Sequence, residues 1–307
     1  MFQGMLEEVL AGLRKNPKSI PSKYFYNHRG SKLFEKICKL DEYYLTRTEL
    51  AIMEAHVSEM AEVVGEQSLI IELGSGSGEK TRLLLSHLSA PAAYVPIDVS
   101  QDMLNDLADS LREEIRTLEV MPVIADWMGN FELPMVGESA VKCVVYFPGS
   151  TIGNIDRPEL VNFLRRIRDL CGSGGGFLVG MDLKKDRNTL EAAYNDSKGI
   201  TAEFNLNILH HINKALNADF NLDNFHHYAT YNEESGRIEM YLISTCVQEV
   251  RIGKERIHFV TDEPLLTEIS CKYNLREIGE MARGFFHVQN IWTDLDGRFS
   301  VQYLVAV

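Results

Sequence analysis

From Ser68 onward, short and nearly unbroken apolar runs alternate with segments whose apolar residues recur every three or four positions. The runs Leu69–Leu73, Ala93–Ile97, Val120–Ala125, Val141–Phe147 and Gly176–Met181 predict five strands. The periodic segments Lys80–Leu88, Gln101–Leu118 and Arg157–Cys171 predict helices between them. In the first helix Leu83, Leu84 and Leu88 make the apolar face; Ser100 stands as N-cap of the second. Gly172–Gly176 closes the third. Strands apolar on both faces and joined by helices imply a parallel sheet covered on both sides.

The rhythm changes after Lys184. A polar stretch, Lys184–Thr189, precedes a helix at Thr201–Leu216, and the later pieces alternate with period two. Phe225–Tyr231 and Ile238–Thr245 flank Asn232-Glu233-Glu234-Ser235-Gly236, a predicted hairpin. Phe285–Ile291 and Ser300–Val305, joined through Asp294–Gly297, form another. An antiparallel hairpin added to five parallel strands makes the Rossmann-like, seven-stranded α/β sheet of class I methyltransferases. Residues 53–186 and 275–307 are then the methyltransferase domain. Residues 1–52 and 187–274 form an inserted α+β domain that binds substrate.

The 307 residues are 45% hydrophobic and 24% charged, enough for a large core. The start, Met1–Lys18, reads as an amphipathic helix (Leu6, Val9, Leu10, Leu13) rather than a signal peptide. No apolar run approaches the roughly twenty residues of a membrane span. A net charge of −13 argues against nucleic acid, whose phosphates need clustered Lys and Arg. Five scattered cysteines without a C-x-x-C pair suggest neither a disulfide framework nor a zinc site. A cytoplasmic monomer with a small-molecule partner and no metal is the expectation.

The first strand runs into Glu72-Leu73-Gly74-Ser75-Gly76-Ser77-Gly78-Glu79-Lys80, and the second ends at Asp98, about twenty residues past the last glycine. Strand, glycine turn, helix, strand and acid together place an adenosine at the carboxyl edge of a sheet, the acid taking ribose hydroxyls. NAD sites usually need G-x-G-x-x-G, with the pyrophosphate on the helix N-terminus. Here the order is G-x-G-x-G, and Glu72 and Glu79 flank it. Acids repel a pyrophosphate but tolerate a sulfonium and an amino group. S-adenosylmethionine (SAM) fits this loop better than NAD. Glu72 and the loop glycines Gly74, Gly76 and Gly78 would cradle its methionine part and Asp98 its ribose, with Ser75 and Lys80 also binding the cofactor.

Asp126-Trp127 ends the third strand at the same sheet edge, where an acid can bond the adenine amino group and an indole can pack on the ring. A buried tryptophan beside a capping acid is the plainer alternative. The fourth strand leads into Tyr146-Phe147-Pro148-Gly149-Ser150-Thr151-Ile152-Gly153-Asn154. The Asn154 amide could accept from an amine and donate to a carboxylate of one amino acid; it could also cap the helix near Arg157. Methyl transfer is an in-line displacement driven largely by orientation, so it asks little of a catalytic base. Tyr26, Tyr43, Tyr44 and Tyr194 could orient a neutral amine. In Thr267-Glu268-Ile269-Ser270, an extended chain puts Glu268 and Ser270 on one face, able to grip both nitrogens of an imidazole. As a bare pattern, that pair is more readily an exposed acid and a turn serine.

Taken together, these stretches resemble the SAM-dependent histidine Nα-methyltransferases of ergothioneine biosynthesis. The resemblance adds Pro17–Tyr26, Gly30–Phe34, Leu40–Arg47, Tyr94–Ser100, Ala193–Asp196 and Thr201–Asn205 to the motifs above and covers nearly the whole chain. It implies that Asn154, with Tyr43 and Tyr194, holds the α-amino and carboxylate groups, and that Tyr26 and Phe34 line the pocket. Tyr26 and Asn154 would then act on the reacting amine, and Glu268 and Ser270 would bind the imidazole. The implied product is trimethylated histidine. Pro148 departs from the pattern, which has a larger apolar residue there, and leaves the number of transfers open. Another amino acid or aromatic amine, or a non-catalytic SAM-binding role, are the alternatives.

Overall fold

The computed structural model describes residues 2–136 and 140–307. The chain divides into two compact units, residues 1–44 with 185–270, and residues 45–184 with 271–307.

The second unit is built on a seven-stranded sheet. Its spatial order is Phe286–Thr293, Phe299–Ala306, Gly176–Asp182, Lys142–Phe147, Ser68–Leu73, Ala93–Asp98 and Val123–Ile124. The last five of these are mutually parallel, and Phe299–Ala306 runs antiparallel to both of its neighbours. This is the expected arrangement. The order reverses between Ser68–Leu73 and Lys142–Phe147, so a crevice opens beyond their carboxyl ends. The Gly74–Gly78 loop and the turn from Pro148 to Asn154 leave the sheet at that place. Ile71, Val95, Val145, Phe147, Phe177 and Val179 are fully buried in the core beneath them.

Local chemistry explains where the elements differ from expectation. The third strand shrinks to Val123–Ile124, with an isolated bridge at Val120, because Pro122 has no N–H for the ladder. The helix after the glycine loop stops at Leu85 and buries Thr81, Leu84 and Leu85; of the expected face, Leu84 is buried, Leu88 is buried just past the helix end, and Leu83 is only half-buried. The Gln101 helix ends at Glu114, and Ser100, though at its N-cap, makes no side-chain capping bond. Asp98 Oδ1 accepts from the Ser100 N–H instead, at 2.9 Å.

In the first unit the helix Phe2–Leu13 is shorter than the expected Met1–Lys18. Lys18–Ser19 instead pairs in parallel with Pro264–Cys271. A four-stranded sheet follows in the order Lys18–Ser19, Pro264–Cys271, Arg237–Ser244, Phe225–Asn232, and the last two form the expected antiparallel hairpin. The helix Ile200–Leu216 buries Phe204, Ile208, Leu209 and Ile212. A second hairpin, Gln248–Ile252 with Glu255–Phe259, was not foreseen; its two-residue Gly253-Lys254 turn is the signal for it. Among the described residues no helix is long and apolar enough to cross a membrane, no acid, His or Cys cluster could hold a metal, and no two cysteines form a disulfide.

Candidate functional site

Gly74, Gly76 and Gly78 all have positive φ (72°, 52° and 72°), which favours glycine. A Cβ added at Gly76 would meet nothing within 4 Å, and one at Gly74 only Trp127 Nε1 at 3.8 Å, so both leave their outer face open to a ligand. Gly78 differs: a Cβ there would strike Leu107 at 2.2 Å, so this glycine serves the packing of the helix. Ser75 Oγ is buried with no protein partner, an orphaned polar atom in the turn. Asp98 Oδ2 accepts from the Gly76 N–H at 3.3 Å, and burial raises its pKa. An open glycine face, an orphaned hydroxyl and a carboxylate with lone pairs to spare fit a nucleoside with a polar tail.

Glu72 does not sit in that open face. It is 1% exposed; both its oxygens meet Thr81 Oγ1, at 2.8 and 2.7 Å, and one also meets the Tyr94 hydroxyl. Burial pushes its pKa up to about 8 against the lowering pull of those hydroxyls. Glu72 therefore braces the loop from below and is protonated at neutral pH, so it contributes no charge to the argument against a pyrophosphate.

Lys80 pairs with Glu49, a residue that sequence reasoning passed over. Glu49 lies on the helix Tyr44–Val64, and both its oxygens accept from the Gly149 N–H, at 3.0 and 2.9 Å. The signal was there: Glu49 is four residues from Leu45 and from Met53, both buried, so it stands on the apolar face of its helix. Gly149 (φ 80°) and Ser150 (φ 58°) turn the chain left-handed after the fourth strand. Ser150 Oγ accepts from the Asp182 N–H at 2.9 Å, and Asp182 pairs with Lys272 at 2.8 Å, both fully buried. Tyr273 OH reaches Ile152 O at 3.3 Å. This turn delivers Asn154 at the end of the 3-10 segment Thr151–Asn154. The capping alternative for Asn154 fails, because Asp156 caps the Arg157–Cys171 helix.

Asp126 Oδ1 accepts from the Met128 N–H at 2.9 Å, closing a tight turn. Trp127 meets Phe147 and Phe163 edge-on, with centroids 5.0 and 5.8 Å away, which anchors it on the core. Arg166, also unforeseen, donates to the carbonyls of Trp127 (3.1 Å), Met128 (2.6 Å) and Gly129 (2.7 Å).

In the first unit, Tyr26, Phe34, Tyr43 and Tyr194 come together as expected. Phe34 meets Tyr26 and Tyr43 at centroid distances of 5.8 and 6.1 Å, and Tyr43 meets Tyr194 at 6.2 Å. Phe204 completes the group against Tyr26 and Phe34. Glu268 and Ser270 lie on one extended strand, hence on one face. Tyr194 OH donates to Ser270 Oγ. Burial, chiefly, raises the Tyr43 pKa well above the usual phenol value, with Tyr194 and Glu268 among the neighbours that add to it. Behind Tyr194, His227 Nε2–H donates to the Tyr194 carbonyl at 2.8 Å, so Nδ1 accepts from Asn205 Nδ2 at 2.9 Å. Thr267 Oγ1 donates to Asn205 Oδ1 at 2.7 Å. Burial lowers the His227 pKa, keeping it neutral at pH 7.

Residues 5–306 match the family described as "Histidine-specific methyltransferase, SAM-dependent". The chain belongs to that family. The histidine N-alpha-methyltransferase of Mycobacterium tuberculosis (strain CDC 1551 / Oshkosh) is 39% identical over 301 residues, 96% of this chain and 92% of the relative. The protein of the same name from Mycolicibacterium smegmatis is 37% identical, over 99% of this chain and 95% of its own. Ergothioneine biosynthesis protein 1 of Neurospora crassa is 30% identical over 86% of this chain but only 30% of its own length. As a member of the histidine-specific methyltransferases, this protein uses SAM as its methyl donor.

Proposed function

We propose that this protein methylates the α-amino nitrogen of L-histidine and carries it through to the Nα,Nα,Nα-trimethyl product. The observation that carries the reading is the pairing of Glu268 and Ser270 on one strand face, with the Tyr194 hydroxyl on Ser270 and the Glu268 charge felt by Tyr43. A carboxylate and a hydroxyl on one face match the two nitrogens of an imidazole. The two similar mycobacterial proteins, histidine N-alpha-methyltransferases by name, support it.

The residues divide the work. The open faces of Gly74 and Gly76, with Ser75 and Lys80, would receive the methionine part of SAM; Asp98 would take the ribose, and Asp126 and Trp127 the adenine. When bound, SAM supplies a methyl group on a sulfonium, open to in-line attack. Asn154 would hold the α-amino and carboxylate groups through its paired acceptor and donors. Tyr43 stays protonated at neutral pH and cannot serve as a base, so its oxygen orients the amine by accepting from it. Tyr26 and Phe34 shape the pocket, and Tyr26 offers a second phenol oxygen to the amine. Each of the first two methylated products must lose a proton before it can react again. That proton passes to solvent rather than to a dedicated base.

Mass spectrometry of histidine incubated with the protein and SAM, counting added methyl groups, tests the proposal. Three added methyls are expected. Histidine left unmodified, while tryptophan or another amino acid is methylated, would overturn the substrate; a product that stops at one or two methyls would overturn the extent.

A further inference from the structure

We propose that Glu49 sets the charge of the SAM pocket: as the counter-ion of Lys80, it keeps that ammonium from opposing the sulfonium and so controls how far SAM is preferred over its uncharged thioether product. The inference rests on the reading of the glycine loop and Lys80 as the cofactor site.

Glu49 is 1% exposed and cannot turn out to water. Its carboxylate lies directly over the Gly176–Asp182 strand, where a Cβ on Gly180 would stand 2.1 Å from Oε1. The Gly149 N–H fixes both oxygens, and the Lys80 ammonium fills the remaining side. The ammonium also lies close to the turn itself, 3.4 Å from where a Gly149 Cβ would stand. A half-buried ammonium without its partner would face a second cation in surroundings less polar than water, whereas an ion pair presents only a dipole.

Two other acids near the loop, Glu72 and Asp98, do not take this role. Glu72 carries its proton at neutral pH and is already shared between Thr81 and Tyr94. Asp98 accepts from the backbone N–H groups of Gly76 and Ser100. Only Glu49, among these three, is in contact with Lys80. It is a positioning residue, acting on the cofactor through the lysine.

Calorimetric titration with SAM and with S-adenosylhomocysteine tests this. Glu49→Gln keeps an oxygen for the Gly149 N–H but leaves Lys80 uncompensated. SAM affinity should then fall on the order of tenfold more than that of S-adenosylhomocysteine. The double variant Glu49→Gln/Lys80→Gln, again without net charge, should restore the natural ratio even where both ligands bind more weakly. Equal weakening of both ligands in Glu49→Gln, or no change in either, overturns the proposal and makes Glu49 a scaffold residue. If Glu49→Gln does not fold, Lys80→Gln decides: an uncompensated carboxylate should move the ratio toward SAM, and an unchanged ratio overturns the proposal. Failure of the unmodified protein to bind either ligand would instead remove the cofactor reading, and the proposal with it.

Discussion

The Tyr194 hydroxyl lies 3.0 Å from Ser270 Oγ, a buried contact between residues 76 positions apart. Tyr194→Phe removes that bond while keeping the ring packed on Tyr43. Histidine affinity should fall by about 0.5–1.5 kcal/mol, the net worth of one hydrogen bond. SAM binding should not change. A titration in which SAM binding drops as much as histidine binding would show the change to be global.

Glu268→Ala deletes a charged partner. The expected loss of histidine affinity is about 1.5–3 kcal/mol. An unchanged dissociation constant for histidine would take the imidazole away from Glu268.

Arg166→Lys keeps the charge but replaces a planar fork that reaches three carbonyls by a single ammonium. The 127–129 turn should loosen, and SAM should bind about tenfold more weakly, near the cost of one charge-assisted hydrogen bond. Histidine-side affinity measured without cofactor should stay put. Equal SAM affinity in the variant would show the turn to be held by Asp126 and Trp127 alone.

What the sequence made legible follows from which signals are local. The parallel strands were readable because their apolar runs are continuous, and the glycine loop because its backbone demands are written in glycines. Glu72 was misplaced because an acid beside such a loop looks the same whether it faces a ligand or, as here, Thr81 and Tyr94. Arg166 and His227 were missed for a different reason: each acts on main-chain atoms, of Trp127–Gly129 and of Tyr194, and carbonyls leave no mark in a sequence. Glu49 was the omitted site residue with a local cue, its place on an apolar helix face, as the Gly253-Lys254 turn was the local cue for the second hairpin.

Glu72 has a pH signature. Its carboxyl is raised from 4.5 to about 8 on folding, so the folded protein holds a proton that the unfolded chain has released. This group's contribution therefore falls as pH climbs from about 4.5 to 8 and stays lowest above that. Glu72→Gln, which keeps an acceptor for Thr81 or Tyr94, should flatten that slope. Urea melts at pH 5 and pH 8.5 compare the two proteins; an equal pH dependence in both would refute the assignment.

The Asp182–Lys272 pair is fully buried. Lys272→Met strands the aspartate and should cost about 3–5 kcal/mol in chemical denaturation. The double variant Asp182→Leu/Lys272→Met should recover part of that loss; a single variant as stable as the natural protein would mean the aspartate had found another cation.

Among the described residues, Arg166 bonds main-chain carbonyls. A ribbon held by its carbonyls keeps its course whatever residues it bears, so half-buried Met128 can drift without unmooring the turn. On the proposed placement of the adenine against Asp126 and Trp127, this turn is the part of the enzyme most open to redesign: a methyl donor enlarged on its base is then accommodated by varying residue 128, with the arginine left in place.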